Sequence, residues 1–420
     1  MIAGVLADLR SRASHADLVR ARDETITAIL GANGEAVVSV DQSDTVQIRV
    51  LADGRLGWAG GDTASVRSIA ESALRSAAAG DPAEMFFPAP ASLPAVVTRS
   101  PAAAALTAPD LLGLAGSLAD RLRRMNLRTE TWAERSAGGV DVGNSRGVIA
   151  SYDVTMIGLG VSIAGGPAPC RLHVAGVAPP DEAAFDSLVD EVETRFGPPL
   201  DLTELPATAR VWFKPRAVRA LLAPVLVRQT GDRWIATGAR RSAIDSRLSL
   251  YDDPLIDGRP GSRPICDDGI PTQRLALIRE GRPVAGLLDL RTASRHRLPA
   301  TGHGVRRGYR APGVAFSNLM LESSEPGTRD VAAAVGEGLL VSEIELGPAP
   351  NPDRGVFRVA VPWCYRIAGG RMVGRVEGAV LVGDVWRLLE RVAAIGADAE
   401  WHGAARVPSL VLDGVGVGLR

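Results

Sequence analysis

The stretch from Pro198-Pro199 to Pro206 constrains this chain more than any other segment. Proline fixes φ and offers no N–H, so three prolines in so short a span interrupt both helix and strand. A chain of 420 residues also exceeds what one hydrophobic core ordinarily organises. The expectation is two domains, residues 1–200 and 207–420, divided at this break.

The first half reads as mixed helix and strand. Residues 1–13 have the spacing of a short amphipathic helix, followed by strand-like runs at 16–22, 24–30, 35–40 and 45–50. Ala52-Asp53-Gly54 is a hairpin signal, because the Asp-Gly pair supplies the positive φ that a tight turn needs. Val66, Ile69, Ala70, Ala73, Leu74 and Ala77 recur at helical spacing over 63–79, with Asp62 or Thr63 placed to cap. The Pro- and Ala-rich segment 81–108 reads as a linker or an arm packed on the surface. A helix at 109–125, strands at 127–134, 147–156 and 157–164, and a helix at 181–195 complete this half.

The second half opens with a strand at 209–213 and a helix starting at Pro215, a favoured first helical residue. Strands are then expected at 246–251, 273–279, 283–289, 315–321, 338–345, 355–361, 372–381 and 408–417. Short helices are expected at 328–335 and 383–395. Helices and strands are partly segregated along the chain. The fold class is therefore α+β, a mixed N-terminal domain followed by a strand-rich C-terminal one.

Composition excludes several function classes. Hydrophobic content of 46% and charged content of 23% are those of a globular protein. A formal net charge of −1 gives no global field to attract nucleic acid. Cys170, Cys266 and Cys364 are far apart and odd in number, which argues against a disulfide framework and for a reducing compartment. The N-terminus is too short and charged for a secretion signal, and no run reaches the ~18 apolar residues of a membrane span. The expected location is cytoplasmic, away from any membrane.

No metal motif is present. The histidines are His15, His173, His296, His303 and His402, and no two are three to five residues apart as a helical ligand pair requires. The nearest two, His296 and His303, are separated by Pro299. Asp252-Asp253 before Pro254 and Asp267-Asp268 before Gly269 read as strand-stopping turns, with an acidic dyad as the alternative. His303, flanked by glycines, reads as a turn residue or a contact to a peptide backbone. Cys364 reads as a buried small hydrophobe, or as a nucleophile if His402 lies beside it. Ile157-Gly158-Leu159-Gly160 lies in a strand pattern with no following helix or lysine, so it is no phosphate loop. Arg240-Arg241 followed by Arg247 is a basic cluster, read as a solvated loop or an acidic-peptide contact.

Taken in order, these punctuated motifs carry a resemblance. Asn144-Ser145-Arg146-Gly147, Tyr251-Asp252-Asp253-Pro254, Cys266-Asp267-Asp268-Gly269, Leu288 to Ala293, Thr301-Gly302-His303-Gly304 and Ile395-Gly396-Ala397-Asp398 resemble, in kind and spacing, the TldD/PmbA family of peptidase proteins. The glutamate of that family's Asp-Asp-Glu-Gly turn is absent here. The resemblance implies a TldD/PmbA-type C-terminal domain and a heterodimer of a zinc subunit, TldD, with a metal-free subunit, TldE or PmbA. It implies cleavage of unfolded peptides, or of leader segments of ribosomal peptide natural products, held as an added strand. The family's His-Glu-x-x-x-His zinc helix would fall in Pro215 to Gln229, which holds no His or Glu, and its late cysteine ligand near Trp401-His402-Gly403-Ala404. The chain thus resembles the metal-free subunit, with zinc expected in a TldD-like partner and no catalytic or metal residue of its own. Asp252, Asp253, Asp267, Asp268 and His303 are the candidate channel or interface positions. The rival expectations are an independent hydrolase built on Cys364 and His402 or on an aspartate pair, and an interaction protein with no proteolytic role.

Overall fold

The computed structural model describes residues 1–166, 168–196, 206–238, 244–306, 308–346 and 355–419. The N-terminal half is built on a six-stranded antiparallel sheet: β1 (His15–Leu30), β2 (Ala36–Ala52), β3 (Arg55–Asp62), β4 (Thr129–Asn144), β5 (Ile149–Ile163) and β6 (Cys170–Gly176), in the order β3-β2-β1-β4-β5-β6. The four short runs expected over 16–50 merge into two long strands. The charged residues in their middle do not break them, because β1 lies between β2 and β4 and pairs its charges across strands. Arg20 meets Asp44 and Asp141, and Arg22 meets Asp141 at 3.3 Å. The Asp53-Gly54 turn forms as expected: both residues have positive φ, 50° and 69°, and Ala52 pairs with Arg55.

Helices Val66–Ala78 and Ala108–Leu122 cover this sheet. Asp62 caps the turn leading into the first by accepting from the Ala64 N–H. A capping box between Thr107 and Asp110 starts the second. Glycines set two close approaches. A Cβ on Gly57 would lie 2.3 Å from the Ala73 carbonyl, and one on Gly160 would lie 2.6 Å from the Trp132 ring.

The Pro/Ala-rich segment is a strap between the two halves. Met85 and Phe87 are buried. The Phe86 N–H donates to Ser294 Oγ, the Val97 N–H to Asp257 Oδ1 at 2.7 Å, and Thr98 Oγ1 to the Asp153 carbonyl at 2.6 Å. Proline suits this role because an extended strap needs few ladder donors.

Two large sheets and a two-stranded ribbon, Gly304–Val305 with Gly313–Val314, form the C-terminal half. The first has six strands, ordered Arg282–Pro283, Leu275–Arg279, Leu248–Asp252, Leu319–Ser323, Ala405–Val407, Glu400–His402. The second has eight: Val356–Ala360, Ala379–Asp384, Leu410–Leu419, Thr208–Phe213, Gly338–Val341, Cys364–Ala368 and Arg371–Val376 in order, with Val392–Ile395 also on Leu410–Leu419. One apolar core joins them: Val211, Phe213, Leu381 and Leu412 from the larger sheet, Leu250, Leu277 and Leu321 from the smaller, Leu221 and Val225 from helices. The architecture is α+β, as expected. A second core crosses between the halves, packing Leu159, Leu172 and Leu188 against Leu340, Trp363, Ile367 and Val411.

Local corrections have physical causes. The helix expected over 383–395 ends at Glu390, and Val392–Ile395 is a strand paired with Leu410–Leu412. Its β-branched ends find a sheet edge there, which outweighs helical spacing. The helix from Pro215 stops at Leu221, and a second, Ala223–Arg228, restarts around Pro224, which cannot continue a helix. The strand expected at 283–289 contracts to Arg282–Pro283. Residues 197–205, where the domain break was expected, and Arg240-Arg241 lie outside the described residues. Among the described residues no helix is long and apolar enough to cross a membrane.

Candidate functional site

The predicted aspartates do not form dyads. Asp252 ends the strand Leu248–Asp252 and is fully buried. Its Oδ1 accepts from the Ser317 N–H at 2.8 Å, and its Oδ2 lies 2.8 Å from His303 Nε2. His303 is equally buried, with Nδ1 3.0 Å from Thr301 Oγ1. The neighbouring Asp253 points elsewhere, accepting from the Leu255 N–H at 2.9 Å and facing Arg274 at 3.8 Å. A His–Asp pair closed to solvent cannot exchange protons with a substrate. It ties the loop 301–303 to the strand end.

Asp267 and Asp268 lie in a turn in which the Gly269 N–H donates to the Cys266 carbonyl and Gly269 has φ +79°. Asp267 accepts from the Arg306 N–H at 2.6 Å, and burial raises its pKa despite nearby Arg263. Asp268 joins a buried four-residue network that spans the two halves. Arg49 on β2 bonds Asp17 on β1 and reaches Asp268 at 2.9 Å, while Arg306 bonds Asp17 and lies 3.7 Å from Asp268. Asp268 also accepts from the Leu290 N–H at 2.8 Å. Burial alone would push its pKa up; Arg49 and then Arg306 outweigh this and hold it below the ordinary carboxylate value. Gly304 is required beside it, since a Cβ there would lie 2.0 Å from Asp268 Oδ2.

Cys364 is fully buried in the C-terminal core, and burial pushes its thiol up to about 12. A thiol that stays protonated is no nucleophile. Arg247, the described member of the basic cluster, is held by Asp245 at 2.8 Å.

A different site emerges where helix Pro215–Leu221 packs on the strands Glu400–His402 and Ala405–Val407. These are the segments in which the resemblance places the zinc helix and the late cysteine. Here they bring together Arg216 and Arg219 from the helix and His402 from the strand, beside His173 of β6. Arg216 Nη2 donates to the His173 carbonyl at 3.1 Å. Lys214 and Arg195 are matched by Glu191 at 3.2 and 2.9 Å, and Arg195 also by Glu343 at 2.8 Å. Arg216 and Arg219 have no carboxylate within ion-pair distance among the described residues. Glu400, 3.6 Å from His402, is the adjacent acid.

Burial first, then Arg216 and Arg219 acting against Glu191, together lower the His402 pKa to about 4. The donor set does not fit zinc: guanidinium groups cannot ligate and repel a divalent cation, and among the described residues no three His, Cys, Asp or Glu side chains gather as ligands would.

A direct consequence concerns pH. A base whose folded pKa lies below its ordinary 6.5 contributes stability that is fully present above pH 6.5 and lost as pH falls toward about 4. An NMR titration should place the His402 ring midpoint near 4, and His402→Gln should flatten the stability profile in that window. A midpoint near 6.5 would remove the arginines from its surroundings.

Sequence reasoning missed Asp17, Arg49 and Arg306, which lie 32 to 289 residues from their partners. Arg216 and Arg219 did carry a signal, since residues three apart on a helix share a face. The absence of His and Glu drew attention away from what replaced them.

The strand-rich α+β C-terminal half, with helix Pro215–Leu221 packed on strands Glu400–His402 and Ala405–Val407, defines a class. Residues 206–419 match the PmbA/TldA metallopeptidase C-terminal domain. The chain belongs to the TldD/PmbA family. It is similar to the metalloprotease TldD homolog of Haemophilus influenzae, 26% identical over 166 residues, 39% of this chain and 34% of that protein. It is also similar to a metalloprotease of Methanocaldococcus jannaschii, 25% identical over 153 residues, 36% of this chain and 34% of that one. The matched region thus spans about a third of these curated relatives. Its fold is that of TldE from Thermococcus kodakarensis, with a TM-score of 0.82, 19% identity and 99% of each chain covered. A putative modulator of a DNA gyrase from Thermotoga maritima gives a TM-score of 0.84, 17% identity and 99% of each chain covered.

Proposed function

We propose that this chain is the metal-free, TldE-like subunit of a heterodimeric zinc metallopeptidase. The observation that carries this reading is that Arg216, Arg219 and His402 come together where helix Pro215–Leu221 packs on strand Glu400–His402, the segments in which the resemblance places the family's zinc ligands. The TldD-like partner supplies the zinc, the hydrolytic water and the general base. This chain completes the chamber and helps hold an extended, unfolded peptide or a leader segment. Glu400–His402 is a terminal strand of its sheet and lies beside the arginine-bearing helix, which supports binding by strand addition. The three free, buried cysteines fit a cytoplasmic setting.

Native mass spectrometry of the protein purified from its own cells tests the assignment. The expected species is a one-to-one complex with a second chain of similar size carrying one zinc. A homo-oligomer or monomer that cleaves peptides without partner or metal overturns it.

A further inference from the structure

The arginine junction has chemistry of its own. Arg216 is half-buried, yet its one hydrogen-bond acceptor among the described residues is a neutral carbonyl, that of His173. Arg219 is exposed on the same helix face without a carboxylate partner among the described residues. Arg171 on β6 is exposed and stacks its guanidinium 5.2 Å from the Trp132 ring centre rather than on an acid. The nearby carboxylates Glu191 and Glu343 are already bound by Arg195 and Lys214. Glu400 alone is left against Arg216, and it already faces His402. A guanidinium partly withdrawn from water without an anion is costly, and its planar fork matches a carboxylate bidentately.

We infer that Arg216 and Arg219, with His402 beside them, form a carboxylate-binding site for an extended peptide, taking its C-terminal carboxylate or an acidic side chain. A peptide lying along the Glu400–His402 strand is bound through its backbone without regard to sequence. A fixed pair of guanidinium groups at that strand adds what the ladder lacks, a register mark set by one negative charge. His402, neutral at pH 7, contributes a hydrogen-bonding group without adding repulsion among the cations. The site thereby converts the position of a lost metal into a device for placing the peptide. This deepens the accessory-subunit reading and rests on it for the identity of the ligand.

Calorimetric titration of the full chain with three unstructured Ala/Ser hexapeptides tests the site: the free acid, its C-terminal amide, and the amide with one internal Glu. At least one acid-bearing peptide should bind about ten- to a hundredfold more tightly than the plain amide, as for charge-assisted hydrogen bonds. Preference for the free acid assigns the C-terminus, and preference for the Glu peptide assigns a side chain. Arg219→Gln, at an exposed position that leaves folding intact, should shrink the gap severalfold, and Arg216→Lys should shrink it while keeping the charge. No acid preference, whether from equal binding or from none, overturns the inference, as does a gap unchanged in both variants. The one-to-one zinc complex is followed in parallel by native mass spectrometry. If it forms while acid preference is missing, only the carboxylate site fails; acid-dependent binding without a zinc partner sinks the accessory-subunit reading instead.

Discussion

Replacing Arg49 with methionine is expected to lower the free energy of unfolding by about 3–5 kcal/mol, the usual effect of breaking a buried ion pair by removing one partner. The guanidinium is 1% exposed and serves Asp17 and Asp268 at once. Without it, Arg306 alone faces two buried carboxylates, and neither has water to turn to. Methionine fills much of the stem's volume against Phe87, whose ring lies 5.5 Å from the Arg49 guanidinium carbon, so the loss is electrostatic rather than a cavity. Urea unfolding should show a lower midpoint, and hydrogen exchange should rise most in the turn 266–270, which Arg49 ties to the N-terminal sheet. The pH profile gives a second reading. A carboxylate with a depressed folded pKa contributes stability present above its ordinary 3.8 and lost as pH falls below that value. In Arg49→Met this acid-limb loss should be smaller, because Asp268 no longer has its main stabilising cation. Wild-type stability in the variant would mean that the apolar core between the halves holds the junction without the charges.

That network shows where sequence reading stops. The Asp53-Gly54 turn and the Asp62 cap were legible because each depends on residues within a few positions. The long strands were legible in part: charges at Asp23 and Asp44 look like interruptions until the flanking strands supply their partners, Ser136 and Arg20. The Pro/Ala segment read as a linker or a surface arm because its bonds to Ser294 and Asp257 lie far away in sequence. The helix at 383–395 failed for the same reason, since only Leu410–Leu412 turns its second half into a strand.

The arginine junction was legible only in part. Counting His and Glu over Pro215 to Gln229 excludes a zinc helix from sequence alone. It cannot reveal that Arg216 and His402, far apart in the sequence, come close together, because a parallel strand contact and two sheets intervene. The Asp252, Asp253, Asp267 and Asp268 motifs were visible as turns, and turns they are. What the sequence could not display is that two of them, Asp252 and Asp268, reach inward to His303, Arg49 and Arg306.

Asp252 offers the sharpest separation of a structural role from a catalytic one. Asp252→Ala leaves the Ser317 N–H and the His303 ring facing a void in a site without solvent. Each buried polar group left unpaired costs about 1–3 kcal/mol, so a loss of about 3 kcal/mol or more is expected. Asp252→Asn keeps an acceptor for the Ser317 N–H and offers an amide N–H to the His303 ring nitrogen, so its loss should be near 1 kcal/mol, about the worth of one ordinary hydrogen bond. Chemical denaturation of both variants gives the ranking. The decisive comparison is peptide hydrolysis by the chain reconstituted with its proposed TldD-like partner, normalised to folded protein. A latch predicts that Asp252→Asn retains nearly full turnover, since the loop 301–303 stays tied to the strand end. An acid–base pair predicts the reverse, because asparagine cannot accept a proton and turnover would collapse by orders of magnitude with stability almost unchanged. The complete burial of both side chains and the backbone donor on Asp252 Oδ1 favour the latch. Turnover that tracks stability across the two variants would remove the Asp252–His303 pair from catalytic proton transfer, as the proposed zinc-bearing partner requires.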